Sequence, residues 1–136
     1  IGIGECAGVV IDLIATLFLE SEEKIDNAKT AFDNKVFSSA IYHAYSSLVN
    51  SAKALLLAEN KRTNTHAGII SQFDELFIES KRIDLGVSFS DLIYQINKFA
   101  PTEDFASKYI QNANAFLQKV RAFRDSETNA LHRKAI

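Results

Sequence analysis

The feature that most constrains the fold of this chain is a helical spacing of apolar residues that continues through most of its length. Apolar residues recur at steps of three, four and seven, the spacing that places side chains along one face of an α-helix. One proline and five glycines are spread over 136 residues, which leaves too few breakers for a turn-rich β-sandwich. The sequence therefore predicts an all-α fold, an up-and-down bundle of about five helices.

Five segments carry this helical pattern. The first two are long, about Val9–Asp33 and Val36–Asn60. A third begins after Thr65 and a shorter one after Ser90, whose hydroxyls are expected to cap them, and the last covers about Glu103–Ser126. The inner faces are expected to carry Ile11, Ile14, Phe18, Ile25, Ala28, Phe32, Ile41, Tyr45, Leu48, Ala52, Leu55, Leu56, Ile69, Ile70, Phe73, Leu76, Phe77, Leu92, Ile93, Ile96, Phe99, Tyr109, Ala113, Phe116, Val120 and Phe123.

The length of the chain corresponds to one domain. We assign residues 9–136 to a single helical bundle and residues 1–8 to a linker or to the tail of an upstream domain. The chain opens at Ile1 and contains no methionine. We therefore expect it to be a piece of a longer polypeptide.

Charge and cysteine content exclude several classes of protein. The 15 Lys and Arg residues are balanced by 17 Asp and Glu, so no overall positive field exists to hold nucleic acid, and neither RNA nor DNA is an expected partner. One cysteine, Cys6, excludes an intrachain disulfide and indicates a reducing, cytoplasmic compartment. We interpret Cys6 as a buried, inert thiol rather than a reactive one. Glu5 and Asp12 interrupt the apolar stretch 1–19, at a cost of about 3 kcal/mol each near a bilayer centre, so a membrane span is not expected.

The first half of the first helix has more apolar surface than a monomeric bundle covers. Val10, Leu13 and Leu17 lie on the flank of its apolar stripe. A bundle buries one side of such a helix, so a second side needs another partner. We expect these three residues to form the interface of a homodimer, or to contact the upstream domain.

Most catalytic and metal-binding patterns are absent from the sequence. His43, His66 and His132 each lack a glutamate three positions earlier, which the di-iron bundles require. The isolated histidines also lack the ligand spacing of zinc sites. No glycine-rich phosphate loop follows a strand, and nothing beyond residue types supports Ser-His-Asp catalysis. We expect no cofactor or metal in this domain.

Three stretches of the sequence form a recognisable combination: the AIYHAY run at 40–45, the SAKALLL run at 51–57 and the THAGIISQF run at 65–73. Together they resemble the HEPN superfamily, whose name records higher-eukaryote and prokaryote nucleotide-binding domains. The final helix, with the apolar residues Ala113, Phe116, Leu117 and Val120, is also similar to the last helix of that family. The resemblance covers about residues 9–125. It implies an up-and-down helical bundle that commonly dimerises, and it implies nucleotide docking as one possible role.

Some members of this superfamily are metal-independent ribonucleases or toxins that use an arginine, four to six residues and then a histidine. In this chain seven residues separate Arg124 from His132, and three separate Arg62 from His66. We therefore expect a non-catalytic module for dimerisation and for partner or nucleotide docking. A ribonuclease that uses Arg124 and His132 is the alternative, and a nucleotide-binding domain is a second one.

Two further groups of residues are candidates for a ligand site. Tyr42, His43, Tyr45 and His66 either line a ligand groove or pack between helices, with His66 packing or capping at its helix start. The basic residues near the end of the chain either contact phosphate groups or form a solvated helix end. They are Lys119, Arg121, Arg124, Arg133 and Lys134.

The opening IGIGECAG run at 1–8 resembles a junction in bacterial proteins that carry a HEPN-like module after a sulfite or nitrite reductase. That resemblance implies that siroheme and an iron–sulfur cluster belong to an upstream domain. One cysteine is too few to hold a cluster in this piece.

Overall fold

The computed structural model describes the backbone of residues 3–135 and the side chains of residues 8–130. Within this part of the chain the fold contains five α-helices and no strand. The helices are α1 (Ile3–Asp33), α2 (Phe37–Ala58), α3 (His66–Phe73), α4 (Phe89–Ile93) and α5 (Glu103–Ala135). A π-helical turn, Asp74–Ile78, extends α3, and a 3₁₀ turn, Tyr94–Asn97, extends α4. The predicted all-α bundle of five helices is confirmed.

The close packing of α1 on α2 organises the bundle. A tight turn joins the two helices, in which Lys35 adopts a left-handed φ of 62° and the Val36 N–H donates to the Ala31 carbonyl at 2.9 Å. The helices consequently run antiparallel. Small residues of α2 that face α1 are fully buried: Ala40, Ala44, Ser47 and Ser51. The Ser47 hydroxyl donates to the Ser21 carbonyl of α1 at 2.9 Å, which pairs the two helices at this level.

The third long helix, α5, packs against both α1 and α2 and closes an aromatic core with the short helices. The rings of Phe73 and Phe116 lie 5.2 Å apart, and those of Phe89 and Phe116 stack at 4.7 Å. Phe73, Phe77, Phe89 and Phe116 are at most 2% exposed. Burial of a phenylalanine contributes about 1.5–3 kcal/mol, so this cluster holds α3 and α4 against α5.

Two helix ends differ from the prediction. The first helix begins at Ile3 rather than Val9, and the last continues to Ala135 rather than stopping near Ser126. The residues 127–135 contain neither proline nor glycine, so nothing in this polar stretch interrupts a helix. The apolar stripe of α5 ends before the helix itself does.

The start of α4 was also predicted incorrectly. Ser88, not Ser90, is the N-cap, and its hydroxyl accepts from the Asp91 N–H at 3.0 Å. The carboxylate of Asp74 accepts the N–H groups of Phe89, at 2.6 Å, and of Ser90, at 3.0 Å. The Ser90 hydroxyl donates to the same carboxylate. A long-range contact therefore starts the helix earlier than the local sequence suggests.

Two residues predicted to be buried are exposed. Ile11 is 56% exposed. It lies about three helical turns before Glu22, which contacts Arg121 of α5, and on the same side of α1. This position is at the edge of the apolar stripe. Phe99 is also 56% exposed. It follows the 3₁₀ turn, which has three residues per turn and so moves Phe99 off the buried face. Its ring stacks on Phe105 at 5.3 Å instead.

No helix within the described range is long and apolar enough to cross a bilayer.

Tyr109 offers a test of the core. Its ring is fully buried, and its hydroxyl donates to the Ile93 carbonyl at 2.9 Å. Tyr109→Phe should lower the free energy of unfolding by about 0.5–1.5 kcal/mol, because it removes this buried hydrogen bond. Equilibrium urea unfolding at neutral pH measures the loss, and Tyr42→Phe, at a 64% exposed position, is the control.

The same pair of variants gives a pH prediction. Burial, with a smaller contribution from the nearby Tyr45, raises the pKa of Tyr109 well above the ordinary value of 10.0. Because the folded state favours the protonated phenol, this stability is present below pH 10 and is lost as the pH rises above it. Phenylalanine does not ionise, so Tyr109→Phe should unfold with a weaker alkaline dependence. An unchanged dependence would contradict the assignment.

Candidate functional site

The structure brings Tyr45 and His66 into direct contact, and we call these two residues the Tyr–His site. The Tyr45 hydroxyl lies 3.0 Å from Nδ1 of His66, and the two rings are 5.6 Å apart. Tyr45 projects from the middle of α2 and is half-buried, whereas His66 is the exposed first residue of α3. The hydrogen bond therefore ties the start of α3 to α2.

Local sequence fixes the position of His66. The Thr65 hydroxyl accepts from the Gly68 N–H at 3.1 Å, and so caps α3 as predicted. A Cβ on Gly68 would lie 2.5 Å from Cγ2 of Thr63 and 2.8 Å from Oγ1 of Thr65. Glycine is needed here because the loop before α3 folds closely over the first turn of that helix.

The environment of Tyr45 keeps its phenol protonated. Burial raises the pKa of Tyr45 above its ordinary value, and the nearby hydroxyls of Tyr94 and Tyr42 raise it further. A protonated phenol can donate to Nδ1 of the imidazole that carries its proton on Nε2, or accept from Nδ1–H of the other tautomer, and either bond orients the ring. The pair thus presents an oriented imidazole at the surface, able to bind an anionic or polar ligand or to transfer a proton.

The other two ligand-groove candidates lie apart from this hydrogen bond. Tyr42 is exposed, and its ring lies 6.0 Å from that of the adjacent His43. Nδ1 of His43 is buried without a hydrogen-bond partner among the described groups. Two of the four predicted residues, Tyr45 and His66, are therefore brought together.

A second feature is an open groove between α1, the end of α2 and the loop before α3, which we call the α1–α2 groove. It is lined by Leu13, Leu17, Lys53, Leu57, Lys61, Arg62, Thr63 and Asn64. Its leucines form an apolar floor and its three cations a basic rim. With a volume of about 240 Å³, it is smaller than a pocket for a drug-sized ligand.

Of the three predicted interface residues, Leu13 and Leu17 line this groove and Val10 does not. Leu13 is 46% exposed, whereas Leu17 and Val10 are half-buried and pack against the core. Val9, Ile11 and Leu19 are also exposed on α1.

The basic end of the chain is partly occupied by internal contacts. Lys119 donates to the Asp84 carbonyl at 2.6 Å, and Arg121 forms an ion pair with Glu22. Arg124 lines a small cavity that also contains Glu59 and Glu127. These carboxylates make an unfavourable surrounding for a phosphate group.

The remaining candidates of this end, His132, Arg133 and Lys134, lie outside the described side chains, as does Cys6. The backbone of α5 continues through His132, so Arg124 and His132 are about 12 Å apart along the helix axis. Among the described side chains no group of three or more His, Cys, Asp or Glu residues could hold a metal ion.

Comparison with known proteins decides the family. The family model for the HEPN domain matches residues 14–126. The chain belongs to the HEPN family. Similar proteins include "Putative toxin MJ0605" of Methanocaldococcus jannaschii, 32% identical over 117 residues that cover 79% of this chain and 86% of the relative. Another is a UPF0332 protein of Thermotoga maritima, 24% identical over 108 residues that cover 78% of this chain and 81% of that protein.

The groove of this HEPN chain was missed at the sequence level, except for its two leucines on α1. Lys53 and Leu57 are four residues apart and so share one face of α2. This spacing, followed by Lys61 and Arg62, was a usable signal. The signal shows only a basic, apolar face, and the fold is needed to place it beside Leu13.

Gly68→Ala tests the local architecture of the Tyr–His site. The new Cβ would press on Thr63 and on the capping hydroxyl of Thr65, so we expect a loss of about 1–3 kcal/mol in the free energy of unfolding. Gly8→Ala is the matched control, because a Cβ at Gly8 meets nothing within 4 Å and alanine favours a helix by about 0.5–1 kcal/mol. Chemical denaturation of the two variants should give shifts of opposite sign. A neutral Gly68→Ala would show that the close approach is not required.

Proposed function

We propose that this chain is a non-catalytic HEPN module that assembles with a second copy of itself through the first half of α1, and that docks a partner or nucleotide at the Tyr–His site. The observation that carries the proposal is the exposure of large apolar residues on one stretch of α1. Val9 is 59% exposed, Ile11 56%, Leu13 46% and Leu19 57%. Several large apolar residues exposed on one short stretch of helix indicate an interaction site.

These residues form two stripes on opposite sides of α1. Ile11, Ala15 and Leu19 follow one another at steps of four on one side. Val9 and Leu13 lie on the other, followed by the half-buried Leu17. Only the second stripe continues into the apolar floor of the α1–α2 groove, through Leu57. We therefore place the self-association surface on the Leu13 side.

The Tyr–His site supports the docking part of the proposal. His66 is exposed and held by Tyr45, and the first turn of α3 presents backbone N–H groups that attract anions. A nucleotide phosphate beside His66 would use both. We propose the docking role from these two features, and a cytoplasmic location from the single cysteine.

Self-association has a direct test in a matched pair of variants. Leu13→Ser should weaken the dimer by roughly 10-fold or more, because a buried leucine contributes about 1.5–3 kcal/mol and about 1.4 kcal/mol corresponds to a factor of ten. Leu19→Ser removes a similarly exposed leucine from the opposite stripe and should leave the dimer unchanged. Sedimentation equilibrium measures both constants. A wild-type chain that stays monomeric at high micromolar concentration would refute the proposal.

A ribonuclease is the second candidate, because one relative is named "Putative toxin MJ0605". Within the described side chains, His66 is held by Tyr45, and Arg62 lies four residues before it in the sequence. RNA cleavage needs a general base and a cation held in fixed geometry, and the Tyr45 hydrogen bond fixes the imidazole.

Incubation of RNA with the wild type, His66→Ala and His132→Ala distinguishes the candidates. The non-catalytic proposal predicts no cleavage above background for any of them. Cleavage that is lost in His66→Ala would establish a ribonuclease at the Tyr–His site, and loss in His132→Ala would establish the pair predicted from sequence. Metal chelation should not affect either activity.

The placement of this module after a sulfite or nitrite reductase-like domain stays a prediction based on residues 1–8. Siroheme and an iron–sulfur cluster would then be held upstream. The sequence of the polypeptide before Ile1 tests it.

A further inference from the structure

The α1–α2 groove has a basic side that nothing within its lining balances. Lys53, Lys61 and Arg62 contribute three positive charges, and none of the lining residues is acidic. The whole chain, in contrast, has a net charge of −2. The two ion pairs among the described side chains join Arg82 to Glu59 and Arg121 to Glu22, so neither uses a cation of the groove.

The opposite edge of the same apolar patch is acidic. Asp12, Glu20 and Glu23 are exposed on α1. At 3.6 residues per turn they lie on the outward side of the helix, beyond Leu13 as seen from α2. None of them belongs to the two ion pairs just described. Across the surface, the order is therefore acidic edge, apolar centre at Leu13, and basic groove rim.

We propose that this surface binds a second copy of the chain, with the acidic edge of α1 in each copy lying against the basic rim of the groove in the other. The inference rests on the proposed self-association and adds its orientation. A two-fold axis near Leu13 places each surface against itself turned by half a rotation. An acidic edge then meets a basic rim twice, while the leucines meet at the centre.

The arrangement of charge favours a second copy over an unrelated acidic partner. An external acidic helix would explain the basic rim, but it would be repelled by the carboxylates on the other side of Leu13. A second copy satisfies both sides at once. Exposed charge pairs contribute chiefly to orientation and partner choice, and salt screens them. We therefore expect the leucines to supply most of the affinity and the charges to fix the orientation.

Two charge-reversed chains test the orientation. One carries Asp12→Lys and Glu20→Lys, and the other carries Lys61→Glu and Arg62→Glu. All four residues are exposed, so the fold should be retained, and circular dichroism checks this. Each variant alone presents like charges across the axis, so its dimer should weaken by roughly 10-fold or more at low salt. Mixed together, the two variants should form a heterodimer about as tight as the wild-type dimer.

Glu75→Lys with Glu79→Lys is the control for the first variant, since it makes the same change in net charge as Asp12→Lys with Glu20→Lys at exposed residues on another part of the bundle. Analytical ultracentrifugation of each protein and of the mixture, at about 50 mM and 500 mM salt, gives the constants. A wild type that dimerises while the reversed variants dimerise equally well, or do not recover on mixing, overturns the charge arrangement but not self-association. A wild type that is monomeric throughout overturns both.

Discussion

The close approach of α1 and α2 is the constraint on which the rest of the structure depends. It is possible because α2 presents alanines and serines to α1, so that the backbones can lie near each other, and because the buried serine hydroxyls donate to backbone carbonyls. Larger residues at these positions would separate the helices and open the core. With α1 held in this way, α5 can contact both helices, and the aromatic cluster can hold the short helices against α5. The same approach aligns Leu13 and Leu17 with Leu57, and so creates the floor of the groove.

The connection between α2 and α3 holds the side chain of His66 at the surface rather than burying it. It does so with a capping threonine, a glycine that admits the neighbouring loop, and a hydrogen bond from the middle of α2. The result is an exposed imidazole on a rigid support, a combination that suits ligand binding more than core packing. The histidine and tyrosine were both identified in the sequence, but the hydrogen bond between residues 21 positions apart depends on the fold.

Periodicity predicted the helices well because most of their buried residues lie on one face, and it failed where a neighbouring element changed the geometry. Ser90 has the properties of a cap, but Asp74 binds that turn and Ser88 caps it. Phe99 follows the helical spacing, but a 3₁₀ turn shifts its direction. A local pattern carries no information on either contact. The groove shows the same limit, because its cations and leucines come from three segments that only the fold brings together.

In this chain the residues that give the family match differ from the residues that a cleavage reaction would need. The HEPN match covers residues 14–126 and follows from the pattern that builds the bundle, whereas cleavage depends on a few side chains placed on it. Two basic residues of α5 serve the bundle: Lys119 holds the loop at Asp84, and Arg121 joins α5 to α1. The cations on the rim of the groove lie instead beside an apolar surface that the bundle itself does not cover. Lys119 and Arg121 thus stabilise the bundle, whereas Lys61 and Arg62 lie beside the exposed Leu13, and this difference supports the association that we propose.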